Sequence, residues 1–137
     1  MRRELRAAAP QPASITIARP DYLRLLDLAW AARAQSPAVG EFLLEEVERA
    51  RVVEPEEVPP QVVTMGSLVE YRDDRTGTQR TVTLVYPGEQ DIELGRVSVL
   101  TPVGAALIGL SEGQSIVWRT PADEERSLTV LRVVQPR

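Results

Sequence analysis

The feature that most constrains this chain is a change of apolar spacing across Glu54-Pro55-Glu56-Glu57-Val58-Pro59-Pro60. Before that segment apolar residues recur every three or four positions, and after it they alternate. Each proline removes a backbone donor and pushes the residue before it out of helical geometry, so a helix cannot pass through. The chain is expected to be a helical part and a sheet part, with residues 54–61 as a stiff, acidic linker.

The helical part carries two stripes. Pro20 at a first helical position, with Arg19 as the expected cap and Asp21 in the first turn, starts a helix. Its apolar face is Tyr22, Leu23, Leu26, Ala29, Trp30 and Ala34. Ser36-Pro37 repeats the cap-then-proline signal, and Val39, Phe42, Leu43, Val47 and Ala50 form a second stripe. Only a few residues around Gln35 and Ser36 separate the two, so residues 15–53 are expected to form an antiparallel helical hairpin of about fifteen residues per helix, or ~22 Å. Trp30 and Phe42 are expected in its core. Ile15-Thr16-Ile17 reads as an extended entry, and residues 1–14, with two prolines and no apolar period, as a disordered tail.

From Gln61 the period is two. Ser67–Arg72 and Gln79–Tyr86 flank a turn at Asp73-Asp74-Arg75-Thr76-Gly77, a hairpin pattern. Arg96–Leu100 is a further strand. It feeds a short helix in which Thr101 is the N-cap, Pro102 the first residue and Gly109 a left-handed stop. Gln114–Arg119 and Ser127–Val134, with a turn at Pro121–Glu124, complete five strands. The fold class is α+β: a helical hairpin followed by a mostly antiparallel sheet, residues 62–137, wrapped on one short helix.

Composition narrows the chemistry. The 137 residues contain no Cys, His, Lys or Asn, and all sixteen basic residues are Arg. The usual general base, thiolate nucleophiles, Schiff-base amines and zinc ligation are thereby removed, as is any Ser-His triad. A net charge of −4 disfavours a general nucleic-acid binder. Residues 41–57 hold seven Glu against two Arg, a solvated helix face or an acidic docking surface. Asp73-Asp74 and Asp123-Glu124-Glu125 fall in turns, where acids serve local hydrogen bonding. Gly104 and Gly109 do not make a phosphate loop, since the lysine is missing. The sequence contains no apolar run near the ~20 residues of a membrane span and no signal-peptide core near Met1, so a soluble, cytoplasmic protein without cofactor or metal is expected.

The order of hairpin, proline-broken linker and sheet, with Val99-Leu100-Thr101-Pro102-Val103-Gly104-Ala105-Ala106-Leu107-Ile108-Gly109-Leu110, resembles the bacterial Gre transcript-cleavage factors. It is most similar to their short relatives, the regulator of nucleoside diphosphate kinase family. Pro55-Glu56-Glu57, Val62-Val63-Thr64-Met65 and Thr83-Leu84-Val85-Tyr86-Pro87 carry the same likeness, which spans roughly residues 15–134.

The resemblance implies an FK506-binding-protein-like sheet domain and RNA polymerase as partner, with docking at the rim of the secondary channel. It places docking at Leu100, Thr101, Pro102 and Val103, where Gre proteins have Ser-Pro at the positions of Thr101 and Pro102. It also implies a hairpin tip at Gln35, Ser36 and Pro37 with Glu41 just inside the second helix. Gre factors hold a catalytic Mg²⁺ there on two acids. One Glu cannot assemble that site, so the expectation is a non-enzymatic factor that docks without stimulating cleavage and competes with Gre proteins. Two alternatives stand beside it: a cleavage factor recruiting metal through Glu41 and the acidic second helix, and a prolyl isomerase or chaperone suggested by fold analogy alone. The family also implies a link to nucleoside diphosphate kinase levels, which no residue explains.

Overall fold

The computed structural model describes residues 14–120 and 122–136. The expected tail therefore lies outside the described residues except for Ser14, as does Pro121 of the expected turn. In chain order the elements are β1 (Thr16–Ala18), α1 (Arg19–Ala32), α2 (Pro37–Glu48), β2 (Arg51–Val53), β3 (Leu68–Asp73), β4 (Gln79–Val85), β5 (Arg96–Ser98), α3 (Pro102–Leu107), β6 (Ser115–Arg119) and β7 (Glu125–Val134). The class is α+β, as the two periods require.

The helical hairpin forms with fourteen and twelve residues. α1 begins one residue earlier than expected, so Ala18 rather than Arg19 is its N-cap. Arg19 instead donates to Glu54 at 2.8 Å, tying the helix start to the proline-rich segment. That segment is a single 3₁₀ turn closed by Glu54 and Glu57. The start of α2 packs tightly on the end of α1 at Gly40: a Cβ there would lie 2.6 Å from the Arg33 nitrogen. Only glycine lets α2 start flush against the last turn of α1.

The entry and exit of the hairpin pair with each other. β1 and β2 form a two-stranded parallel ribbon with Ile17 opposite Val52. Ile15 and Ile17 are buried beneath it. Thr16 donates its N–H to the Gly109 carbonyl, and Gly109, with φ of +82°, leaves no room for a side chain beside Ile15. The ribbon thus fastens the hairpin to the end of α3.

The main sheet has the order β5-β4-β3-β7-β6, antiparallel except for the β4–β5 pair. Alternation places Val69 and Tyr71, Val82 and Leu84, Ile116, Leu128 and Val130 on the buried face. A register shift between Glu70 and Tyr71 adds a residue to β7, which is why Val130 and Val133, three apart, both face inward. One continuous core runs from Leu25, Leu43 and Val47 of the hairpin through Leu107 and Leu110 to Leu84 and Leu128 of the sheet. Among the described residues no helix is long and apolar enough to cross a membrane.

Candidate docking groove

The strand-to-helix junction is built by a short chain of hydrogen bonds. Ser98, at the end of β5, accepts the Leu100 N–H on its hydroxyl at 3.0 Å. Its carbonyl accepts the Thr101 hydroxyl at 2.7 Å. Thr101 in turn accepts the Gly104 N–H at 3.1 Å, the N-cap bond expected from the residue type. Pro102 occupies the start of α3, where its missing N–H leaves nothing unpaired. The ring of Pro102 is exposed, and Thr101 and Val103 beside it are half-buried.

Gly104 explains how α3 sits so close to the strand that feeds it. A Cβ on Gly104 would collide with the Ser98 carbonyl oxygen and lie 2.9 Å from the Val99 Cα. Backbone occupies that space, and no side chain could rotate away.

Because α3 has only six residues, it covers one end of the concave sheet face and leaves the other open. The opening is a groove of about 880 Å³. Thr101, Pro102 and Val103 form one wall; Tyr71, Arg80, Val82 and Trp118 come from the strands, and Ile92 stands 96% exposed at the mouth. Leu100 does not line the groove; it packs against the core. Burial pushes the Tyr71 phenol above its ordinary range, with Asp73 adding to the rise and the facing Arg80 opposing it. Arg126 lies 3.8 Å from Asp73, whereas no carboxylate pairs with Arg80 or Arg96 among the described residues. The groove is apolar with a basic border.

Trp118 closes the groove at the hairpin side. Its ring stacks on Phe42 of α2, centroids 6.3 Å apart, and its indole N–H is buried without an acceptor. Next to this stack a cleft of about 100 Å³ lies between Ala38 and Val39 of α2 and Pro102. The start of α2 and the sequence-predicted junction therefore meet at one end of the molecule, a proximity no local pattern carried.

At the hairpin tip Gln35, Ser36 and Pro37 are all exposed. Ser36 stands at the N-cap of α2, but its hydroxyl makes no cap bond. Glu41 faces Arg33 across the hairpin at 3.7 Å. Two expectations for aromatic residues divide here. Phe42 is partly buried against the core, whereas Trp30 is 53% exposed and lies outside it, with the Arg33 guanidinium 4.6 Å from its ring. The buried side of α1 is centred on Leu25 and Ala29, and Leu25 lies outside the expected stripe, so Leu23 and Trp30 fall beyond the covered face. Sequence reading also missed the contact between Tyr86 and α1. The phenol donates to Asp21 at 2.7 Å, and Arg24 sits 3.6 Å over the ring.

The fold and junction define a hairpin-and-sheet protein of the GreA/GreB class, and the family model "Transcription elongation factor, GreA/GreB, C-term" matches residues 58–135. The chain belongs to this family, within its regulator of nucleoside diphosphate kinase branch: a second model, "Rnk N-terminus", matches residues 13–53. It is 42% identical over 95 residues to "Regulator of nucleoside diphosphate kinase" of Escherichia coli (strain K12), covering 69% of this chain and 70% of that one. To "Transcription elongation factor GreA" of Syntrophobacter fumaroxidans it is 35% identical over 91 residues, 66% of this chain and 58% of the longer relative. A solved structure, "Prokaryotic transcription elongation factor GreA/GreB from Nitrosomonas europaea", superposes with a TM-score of 0.67 at 37% identity, covering 88% of this chain and 98% of that one.

Proposed function

We propose that this chain is a non-enzymatic transcription regulator that binds RNA polymerase near the secondary channel through the sheet domain. In this reading it leaves transcript cleavage unstimulated and competes with Gre factors for the same surface. The observation that carries it is the exposed Pro102, held rigidly by the Thr101 cap on the wall of an apolar groove with a basic border. A cyclic side chain presented on a fixed backbone loses little entropy on docking, which favours it as an anchor. Glu41 supports the second half of the reading. It is a single tip carboxylate, faced by Arg33 rather than by a second acid, so the charge needed to hold a divalent cation is lacking.

Retention of the protein on immobilised core polymerase tests the reading, with Pro102→Asp as the variant. The exposed ring can be replaced without disturbing the core, so the variant is expected to fold and bind at least tenfold more weakly. Excess protein is expected to displace GreA. Absence of wild-type binding overturns the proposal, and transcript cleavage in stalled complexes that rises with added protein overturns its non-enzymatic part. Undiminished binding by the variant moves the docking edge away from Pro102.

A further inference from the structure

The outer face of the hairpin, of which the proposed function uses only the Arg33–Glu41 contact at its tip end, combines an unburied aromatic anchor with an acidic ridge. Leu23 and Trp30, seven residues apart on α1, are 57% and 53% exposed. Leu23 lies two turns from Trp30, and of the two only Trp30 lines the cleft described next; tryptophan is among the residues enriched as interface anchors. Trp30 borders a cleft of about 260 Å³ between the helices, floored by Leu44. Along its far side run Glu41, Glu45 and Glu48, whose spacing of four and three places them on one line of α2. Glu41 faces Arg33, but Glu45 and Glu48 have no cation partner among the described residues. Arg33 itself holds Trp30 in place, and its Nε is buried without an acceptor.

We infer that this face binds a basic amphipathic helix of a partner protein. One apolar side chain of that helix enters the cleft against Trp30, and Lys or Arg residues one turn apart pair with Glu45 and Glu48. Charge complementarity selects this occupant. A second copy of the chain docking through the same face would offer Glu45 and Glu48 no cation from the cleft walls except Arg33, which already faces Glu41. The absence of lysine or arginine beyond Arg33 on the cleft walls disfavours nucleic acid, which needs neutralised phosphates.

The probe is a fluorescein-labelled sixteen-residue helical peptide with leucine on one face and lysines one turn apart beside it, titrated by anisotropy into the full chain. Glu45→Arg with Glu48→Arg is expected to raise Kd about tenfold, as two exposed pairs turned repulsive would. Trp30→Ala is expected to do the same. Glu89→Arg with Glu93→Arg, the same charge change on the sheet side, is expected to stay within twofold of wild type. All these side chains are exposed, and unchanged far-UV circular dichroism confirms folding. Affinity falls as salt rises. The inference is overturned if both charge-reversed pairs weaken binding equally, if Trp30→Ala has no effect, or if light scattering finds a dimer that Trp30→Ala converts to monomer. None of these readouts involves polymerase, so failure here and failure of the docking proposal remain separable.

Discussion

Replacing Gly104 by alanine sets two effects of opposite sign against each other. Local propensity favours the change, since alanine inside a helix is more stable than glycine by about 1 kcal/mol. Packing opposes it, because the new methyl meets the Ser98 carbonyl and the Val99 Cα. Overfilling a tight site costs ~1–3 kcal/mol, and the upper half of that range applies where the obstructing atoms are backbone. The net expectation is destabilisation by about 1–2 kcal/mol, or a Tm lower by roughly 3–10 °C for a chain of this size. Urea unfolding followed by circular dichroism measures it. The strain has a second consequence, because relief requires α3 to lift from β5. The same shift moves the Thr101 cap and Pro102, so the proposed polymerase binding is expected to weaken more than stability alone dictates. A Gly104→Ala protein as stable as wild type, or more so, refutes the claim that glycine is required by close approach rather than tolerated in a short helix.

Two further perturbations test the polar contacts. Burial raises the Asp74 carboxyl, but hydrogen bonds from Ser127, Thr129 and Arg72, with the Arg72 charge, outweigh it and hold the group below its ordinary range. A depressed folded-state value stabilises above the unfolded value and is lost as pH falls toward the folded one. Urea midpoints are therefore expected to drop from about pH 5 downward, less steeply in Asp74→Asn; identical slopes remove Asp74 from the account. Tyr86 is raised well above its ordinary range, by burial first and then by its bond to Asp21. Its contribution is therefore complete below about pH 10 and fades as pH rises beyond that. Tyr86→Phe is expected to cost about 1–2 kcal/mol at neutral pH and to flatten the alkaline loss, measured by urea unfolding at pH 7 and 10.5.

What was legible in the sequence is what neighbours along the chain decide. Thr101, Pro102 and Gly109 declared α3 because a cap, an imide nitrogen and a left-handed stop each act within one turn. The β3–β4 hairpin declared itself through alternation on either side of a turn closed at Gly77. The β1–β2 ribbon did not, because its strands have three residues each and lie 35 positions apart in register. Trp30 shows the limit of periodicity: with apolar residues at 22, 23, 25, 26, 28, 29 and 30, spacing alone does not say which of them face the core, and the covered side is centred on Leu25 and Ala29. Trp118 and Phe42 were assigned to separate elements, and their stack follows from how α2 crosses the end of the sheet. The groove likewise depends on α3 being too short for the sheet it covers.

Three of the contacts between the hairpin and the sheet domain involve separate segments of each. Ile15 and Thr16 are clamped to Gly109 at the entry, Tyr86 bonds Asp21 near the start of α1, and Phe42 stacks on Trp118 beside Pro102. A body held at one point can pivot, and each further separate contact removes freedom to do so. The shared core running through both parts has the same effect. In the proposed docking, a partner that grips Pro102 would therefore receive the tip residues Gln35, Ser36 and Pro37 at a set position rather than on a swinging arm. Reach is then limited by helices of fourteen and twelve residues, about 20 Å, and a short, rigid, single-carboxylate tip can occupy a site near the proposed docking edge but cannot carry a two-acid metal centre deep into a partner.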